Sequence, residues 1–205
     1  VLRGTNILVL SDEIYGELTY GETEHVSIAS LPGMQERTLL ISGFSKTFAM
    51  TGWRIGNLIA PKEIIEVVQE INENVVFTAP SISQRAAIFA LQHRKELESE
   101  VREIFRERMF FAAEQIQETP NMSILYPPKG SIYLFINIKR TGLSSEEVCA
   151  RILEQAHVLF LPGNCFGACG EGYLRVSYAY SLEDLQKAIE RIKRFVARLD
   201  GKTEA

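Results

Sequence analysis

Short apolar runs that are followed at once by polar residues constrain the fold of this chain most. Three of them occur in the first sixty residues, at Asn6–Leu10, Thr38–Ile41 and Ile55–Ala60. Continuous apolar runs of this length are typical of strands that are buried on both faces. Pro61 comes directly after the third run, where it indicates a helix start, and apolar residues then recur at helical spacing. This alternation predicts an α/β fold with a mostly parallel sheet.

The pattern changes beyond a long amphipathic helix that Pro120 should end. Ser144 and Ser181 each precede an acidic residue by three positions, which predicts two helix starts. Four segments look like strands: Ser123–Tyr126, Ile132–Ile138, Val158–Leu161 and Tyr173–Tyr178. We therefore expect residues 1–110 to be part of a large domain with a mostly parallel sheet and residues 111–205 to form a smaller α+β domain.

Composition excludes several classes of partner. The 205 residues carry a net charge of -4, which argues against a nucleic-acid or anionic-membrane surface. No apolar run approaches the roughly 18 residues that span a bilayer. The three cysteines are an odd, low number and favour a reducing cytoplasm. Cys165 and Cys169 lie four apart but have no companion pair, so no metal site is predicted.

Two polar segments follow apolar strands and could carry chemistry. The first is Ser11-Asp-Glu-Ile-Tyr15, at the kind of strand end where open α/β sheets bind ligands. Taken alone, it reads more simply as a strand end that leads into a turn. The second runs from Ser42 to Gly56 and contains Lys46 among Phe44, Phe48, Met50 and Trp53. Apolar surroundings disfavour the ammonium form of a lysine, and its neutral amine attacks carbonyl groups.

These residues carry a resemblance to a known family. The stretch Gly43-Phe-Ser-Lys-Thr-Phe-Ala-Met-Thr-Gly-Trp-Arg-Ile-Gly56 resembles the cofactor-attachment signature of the class I/II aminotransferases, which are fold-type I pyridoxal-phosphate enzymes. The Ser11–Tyr15 segment is similar to the strand of that family that bears a ring-binding Asp and Tyr. Gly130–Tyr133 resembles a landmark of its small domain, and Tyr173–Ser177 resembles its carboxylate-binding arginine segment. The similarity covers nearly the whole chain.

The resemblance implies a role for each residue. Lys46 would form a Schiff base with the aldehyde of pyridoxal 5'-phosphate. Asp12 would face the pyridine nitrogen and Tyr15 the ring hydroxyl, while Arg54 would hold the phosphate. Many relatives carry a serine three positions before the lysine, where this chain has glycine, so Ser42 or Ser45 would substitute.

Arg175 would bind the substrate α-carboxylate, which identifies the substrates as an amino acid and a 2-oxo acid. The chemistry agrees with these roles, because a carboxylate beside the ring nitrogen keeps it protonated. A freed Lys46 amine is suited to moving a proton from the substrate Cα.

The resemblance also sets expectations for the whole protein. Family members are about twice as long and usually form homodimers, so the chain reads as a C-terminal half with reduced or no activity alone. A carbon–sulfur lyase of the same fold, a non-enzymatic sensor domain of a transcription regulator and an inert folded fragment remain alternatives. The Thr51–Arg54 tetrapeptide resembles that of a subgroup acting on aspartate, aromatic, alanine or diaminopimelate-type amino acids.

Overall fold

The structure is a computed structural model that describes residues 1–126 and 128–199, and the chain divides into two compact units. The first unit spans Val1–Glu103 and the second begins at Ile104. The division lies inside the long helix in which we expect the domain boundary, a few residues before position 110.

The first unit contains a three-stranded sheet and helices. Its elements in chain order are β1 (Val9–Asp12), β2 (Thr38–Gly43), α1 (Phe44–Thr47), β3 (Gly56–Ile59), α2 (Lys62–Val75), α3 (Ser81–Gln92) and the start of α4 (Arg94–Gln117). The sheet order is β1-β2-β3. The three strands and the helix expected after Pro61 are confirmed, with bounds that differ by a few residues.

One pairing of this sheet differs from the expected mostly parallel arrangement. β1 and β2 are parallel, with Asp12 opposite Ile41, but β2 and β3 are antiparallel, with Gly43 opposite Gly56. The cause is the short connection between β2 and β3. It is built from α1 and a single turn over Thr51–Trp53, so β3 starts at the edge where β2 ends. A parallel pairing would need a longer crossover back to the opposite edge.

The first unit buries few large side chains and leaves much apolar surface exposed. Leu18 and Tyr20 are almost fully buried, and Met50 is 8% exposed. Helix α2, in contrast, has no buried residue. Its Val67 and Ile71 side chains are more than half exposed. Helix α2 thus leaves apolar side chains uncovered within this chain.

The second unit contains an antiparallel three-stranded sheet and helices. Its further elements are β4 (Tyr133–Asn137), α5 (Ser145–Ala156), β5 (Leu161–Pro162), β6 (Tyr173–Ser177) and α6 (Leu182–Leu199), with sheet order β4-β6-β5. Side chains alternate across the sheet, because successive residues of a strand point to opposite faces. Leu134, Ile136 and Leu174 are buried on one face, whereas Phe135 on the other face is 40% exposed.

Both predicted helix starts in the second unit are confirmed. The Ser144 Oγ atom accepts a hydrogen bond from the backbone N–H of Glu147 at 3.2 Å. The Ser181 hydroxyl accepts from the Asp184 N–H at 3.1 Å and donates to the Asp184 carboxylate at 2.7 Å. These side chains satisfy N–H groups that the first turn of a helix leaves without a partner.

Two predicted strands are much shorter than expected. Of Ser123–Tyr126, only Ser123 pairs, through an isolated bridge to Asn137. Two prolines follow Tyr126 in the sequence, and proline has no N–H to donate to a sheet. Of Val158–Leu161, only Leu161 joins the sheet, together with Pro162. No helix within residues 1–126 and 128–199 has the length and apolarity that a bilayer crossing requires.

Ser145 joins α5 to β6 and offers a test of the second unit. Its buried Oγ atom accepts hydrogen bonds from the N–H groups of Gly172 at 2.8 Å and Tyr173 at 3.2 Å. Ser145→Ala should lower the free energy of unfolding by about 2–3 kcal/mol, because buried N–H groups lose their acceptor. Ser144→Ala removes a single exposed cap bond and should cost about 1 kcal/mol. Urea unfolding of both variants checks this, and equal losses would contradict it.

Candidate active site

Four of the predicted site residues come from segments at one edge of the first unit's sheet. Asp12 ends β1, and α1 with Ser45 and Lys46 directly follows β2. Because β1 and β2 are parallel, their carboxyl ends lie at the same edge. β3 is antiparallel to β2 and starts at that edge, two residues after Arg54. The topology thus brings an acid, an amine and a guanidinium to one edge.

Lys46 lies in a single helical turn with apolar neighbours. Its side chain is half-buried and the adjacent Thr47 is buried. The rings of Phe44 and Phe48, two positions before and two positions after Lys46, stack on each other with centroids 5.6 Å apart. Within the described ranges, the Lys46 ammonium makes no hydrogen bond or ion pair. The amine is therefore not committed to an internal acidic partner.

Arg54 adopts a backbone conformation that is uncommon for a residue with a side chain. Its φ and ψ angles are 49° and 51°, in the left-handed region, which costs roughly 1–2 kcal/mol. The Nη1 atom donates to the backbone oxygen of Thr51 at 3.0 Å, and the side chain is otherwise exposed. Strained conformations of this kind are concentrated at functional sites.

Ser83 of α3 secures the turn that precedes Arg54. Its side chain is only 4% exposed, and its Oγ atom donates to the backbone oxygen of Trp53 at 2.7 Å. Ser83 was not predicted as a site residue. It lies far from Arg54 in sequence and belongs to no motif, so no sequence signal pointed to it.

Glycines at positions 43 and 56 allow β2, β3 and the end of β1 to approach closely. A Cβ atom on Gly43 would lie 3.1 Å from Gly56 Cα and 3.2 Å from Ile14 Cδ1. There is accordingly little room for a serine at position 43. The two serines named as substitutes, Ser42 and Ser45, are both half-buried.

Asp12 and Tyr15 occupy the loop that leaves β1. Asp12 is exposed, and its Oδ1 atom accepts a hydrogen bond from the N–H of Ile14 at 3.2 Å. Tyr15 is half-buried, and its carbonyl oxygen accepts from the N–H of the fully buried Leu18 at 2.9 Å. The two side chains are thus on a loop that is tied to the unit's core.

Between them, Glu13 forms a polar cluster that was not predicted. Its Oε1 atom accepts from the hydroxyls of Ser27 at 2.9 Å and Ser11 at 3.1 Å, and its Oε2 atom lies 2.7 Å from His25 Nε2. Burial raises the pKa of Glu13, but the hydrogen bonds from His25, Ser27 and Ser11 together hold that pKa below its usual value. The carboxylate is therefore charged at neutral pH.

Arg175 lies in the second unit, on the central strand β6. Its guanidinium carbon is 4.3 Å from the ring centroid of Tyr133 and 4.4 Å from that of Phe166. It lines a cavity of about 580 Å³ in this unit. No acidic side chain in the described ranges forms an ion pair with it. Two aromatic rings thus lie close to the guanidinium, and its planar N–H edge is suited to a carboxylate.

The cysteines offer no metal site within the described residues, which hold no cluster of three or more His, Cys, Asp or Glu side chains. All three cysteines are free. Burial raises the pKa of Cys149 to about 11, with smaller contributions from Cys165 and Glu146. Cys149 is accordingly a protonated thiol at neutral pH.

An α/β protein with a charged cluster at a sheet edge is a common class, and comparison with known proteins identifies the family. The family model for aminotransferase class I and II matches residues 1–192. The chain is 44% identical over 191 residues to the protein YugH of Bacillus subtilis (strain 168), covering 93% of this chain and 49% of YugH. It is 39% identical over 191 residues to an aspartate aminotransferase of Pyrococcus abyssi (strain GE5 / Orsay), covering 92% and 49%.

A solved structure agrees with these sequence matches. The aromatic aminotransferase from Pyrococcus horikoshii OT3 matches with a TM-score of 0.88 at 38% identity, covering 96% of this chain and 52% of that one. The chain therefore belongs to the class I and II aminotransferases. It spans about half the length of the curated relatives it matches.

The Ser83 hydrogen bond leads to a testable expectation for the Arg54 turn. Ser83→Ala leaves the Trp53 carbonyl without its donor, so the unfolding free energy should fall by about 1–2 kcal/mol. Amide hydrogen exchange over residues 51–55 should accelerate as well. Ser81→Ala, at an exposed position of the same helix, serves as the control. Unchanged exchange over these residues in Ser83→Ala would show that the bond does not hold the turn.

Proposed function

We propose that this chain supplies the cofactor-anchoring and carboxylate-binding residues of a pyridoxal-phosphate-dependent aminotransferase. The enzyme would move an amino group between an amino acid and a 2-oxo acid, with Lys46 as the residue that binds the cofactor covalently. The proposal depends on one observation: in a chain that belongs to this family, the segments with Asp12, Lys46 and Arg54 lie at the same edge of the sheet.

The residues at this edge fit the cofactor in chemical type. Pyridoxal phosphate has a basic ring nitrogen, an aldehyde and a phosphate, and these call for a carboxylate, an amine and a cation. When bound, it supplies an electron-withdrawing ring that stabilises negative charge at the substrate Cα. Asp12 would hold a proton on the ring nitrogen, because an opposite charge favours the protonated form.

Lys46 would act twice, as the point of attachment and as the group that moves a proton at the substrate Cα. The absence of an internal ion pair, noted above for the described ranges, supports both roles, since a paired ammonium would be held away from the reaction.

Arg54, Ser45 and Tyr15 would complete the contacts to the cofactor. The exposed guanidinium of Arg54 has N–H groups beyond the one bound to Thr51, and a planar fork of this kind binds phosphate with two parallel hydrogen bonds. Ser45, half-buried one residue before Lys46, would donate a further hydrogen bond to the phosphate. Tyr15 would contact the ring hydroxyl.

Arg175 would bind the α-carboxylate of the substrate. The rings of Tyr133 and Phe166 lie close to its guanidinium and would restrict its movement, which lowers the entropy that is lost when a carboxylate binds. A bidentate carboxylate orients the Cα–H bond, and orientation of this kind lowers the barrier to proton transfer.

The fold assignment and the assembly belong to the same proposal. We infer a three-layer pyridoxal-phosphate transferase-like large domain, of which residues 1–110 are a part, and a small α+β C-terminal domain over residues 111–205. The exposed apolar side chains of α2 support a homodimer, in which a partner would cover them. The three free cysteines support a cytoplasmic location.

The family match favours amino transfer over carbon–sulfur bond cleavage and over a sensor role. The Pyrococcus relatives carry the names aspartate aminotransferase and aromatic aminotransferase. We propose an amino donor from the group that comprises aspartate, aromatic, alanine and diaminopimelate-type amino acids. Because the chain spans about half the length of its relatives, we expect it to bind the cofactor weakly and to turn over little by itself.

Reductive trapping tests the role of Lys46. The chain is mixed with less than one equivalent of pyridoxal phosphate, reduced with borohydride and mapped by peptide mass spectrometry. Label at Lys46 should exceed label at the exposed Lys62 roughly tenfold, since one charge-assisted phosphate contact is worth about 1.4 kcal/mol or more. Arg54→Gln should reduce this preference. Label spread evenly over the lysines, or retained in full by Lys46→Ala, would contradict the proposal.

Substitution of Arg175 tests the carboxylate site. Binding of pyruvate, a simple 2-oxo acid, is followed by NMR titration of the chain. Arg175→Gln should weaken binding roughly tenfold or more, because hydrogen bonds to a charged group are worth about 1.5–3 kcal/mol. Arg175→Lys keeps the charge but loses the fork and should be intermediate. Arg140→Gln removes an exposed arginine of the same unit as a control, and an equal effect there would refute a specific site.

A further inference from the structure

The Glu13 cluster lies within the segment that carries two of the proposed cofactor contacts, yet its side chain points elsewhere. Glu13 is 10% exposed, whereas its neighbour Asp12 is exposed. Neighbouring residues of an extended chain point to opposite sides, so the Asp12 and Glu13 carboxylates face away from each other. Glu13 therefore does not compete with Asp12 for the same ligand.

The cluster ties the end of β1 to a separate loop. Ser11 and Glu13 belong to the β1 segment, whereas His25 and Ser27 lie more than ten residues further along the chain. The His25 ring also packs against the turn that follows Glu13. A Cβ atom on Gly16 would lie 2.9 Å from His25 Cδ2, so the ring is in close contact with the backbone there.

The backbone of Glu13 forms hydrogen bonds to β2 and to the turn that follows. Its N–H donates to the Ile41 oxygen at 2.8 Å, which extends the pairing of β1 with β2 beyond Asp12. Its carbonyl oxygen accepts from the Gly16 N–H at 3.0 Å. Glu13 is thus anchored through its main chain to β2 and through its side chain to His25 and Ser27.

Removal of the Glu13 carboxylate would leave its partners without an acceptor. Two serine hydroxyls and an imidazole nitrogen converge on it, and all three atoms are directed toward a side chain with little contact with water. Leaving these polar groups without a partner lowers the stability of the folded state. We therefore expect the loop to relax until they find other hydrogen-bond partners. A relaxed loop would allow Asp12 and Tyr15 to move.

We propose that Glu13, held by His25, Ser27 and Ser11, is a positioning residue that fixes the Asp12 carboxylate for its contact with the cofactor ring nitrogen. This inference rests on the proposed function, because it assigns a support to one of the contacts of that site. Glu13 itself touches neither cofactor nor substrate.

The test compares Glu13→Ala and Glu13→Gln with Glu22→Ala, which removes an exposed carboxylate nearby. The first readout needs no cofactor. Amide hydrogen exchange of Glu13 and Ile14 should accelerate about tenfold in Glu13→Ala, should change less in Glu13→Gln, whose amide oxygen still accepts from the serines, and should be unchanged in Glu22→Ala.

The second readout is the pH midpoint of the absorption band at about 420 nm that the cofactor gains on binding to Lys46. A protonated ring nitrogen lowers the pKa of the Lys46 nitrogen that is bonded to the cofactor, because like charges repel. Displacement of Asp12 weakens that protonation, so Glu13→Ala should move the midpoint to higher pH and weaken cofactor binding about tenfold. A fold that is merely destabilised would lose amplitude without a shift of the midpoint.

The outcomes separate this inference from the proposed function. A wild-type chain that forms the band on Lys46, together with a Glu13→Ala midpoint equal to that of Glu22→Ala, overturns the positioning role and leaves the function standing. A wild-type chain with no band on Lys46 overturns the proposed function, and with it the positioning role toward the cofactor. Faster exchange, a shifted midpoint and partial rescue by Glu13→Gln support the positioning role.

Discussion

Gly43 and Gly56 pair across β2 and β3 so closely that a Cβ atom on either would meet the backbone of the other strand. This approach is the constraint on which the rest of the proposed site depends. It lets the chain leave β2, make a single helical turn with Lys46 and return to β3 at the same sheet edge. Arg54 then lies just before β3, and the parallel partner β1 ends at that edge with Asp12. Backbone pairing alone thus brings the carboxylate of Asp12, the amine of Lys46 and the guanidinium of Arg54, each from a different segment, to one edge of the sheet.

The charged groups of the proposed site differ from those elsewhere in the chain in how they are partnered. Surface arginines such as Arg94 and Arg151 form ion pairs with glutamates on their own helix. Lys46 and Arg175 form none within the described ranges, and the rings of Tyr133 and Phe166 lie close to the Arg175 guanidinium. An ion pair inside the protein would have to break before a ligand could bind, so cations without internal partners are suited to binding a ligand. The acid with the most internal partners in this region is Glu13, and it therefore fits a supporting role.

Much of the fold could be predicted from the sequence, because its signals are local. Apolar runs predicted β1, β2 and β3, and the Ser144 and Ser181 caps predicted the starts of α5 and α6. What could not be predicted depends on contacts between distant residues. The antiparallel direction of β3 follows from the shape of one turn, and the carbonyl of Trp53, just before Arg54, is bound by Ser83 thirty residues further along the chain. The predicted strand at Ser123–Tyr126 pairs at one residue only, because tertiary pairing and the prolines that follow outweigh its apolar composition. Glu13 was overlooked because its partners, His25 and Ser27, carry no motif.

The central claim is that the ε-amine of Lys46 is the attachment point of pyridoxal phosphate, with the acid and the guanidinium of the same sheet edge on either side. A crystal structure of the chain grown with an excess of the cofactor tests it most directly. The account predicts continuous electron density from Lys46 Nζ to the cofactor, with the ring nitrogen facing Asp12 and the phosphate on Arg54. Density attached to another lysine, or a cofactor whose phosphate lies away from Arg54, would contradict it.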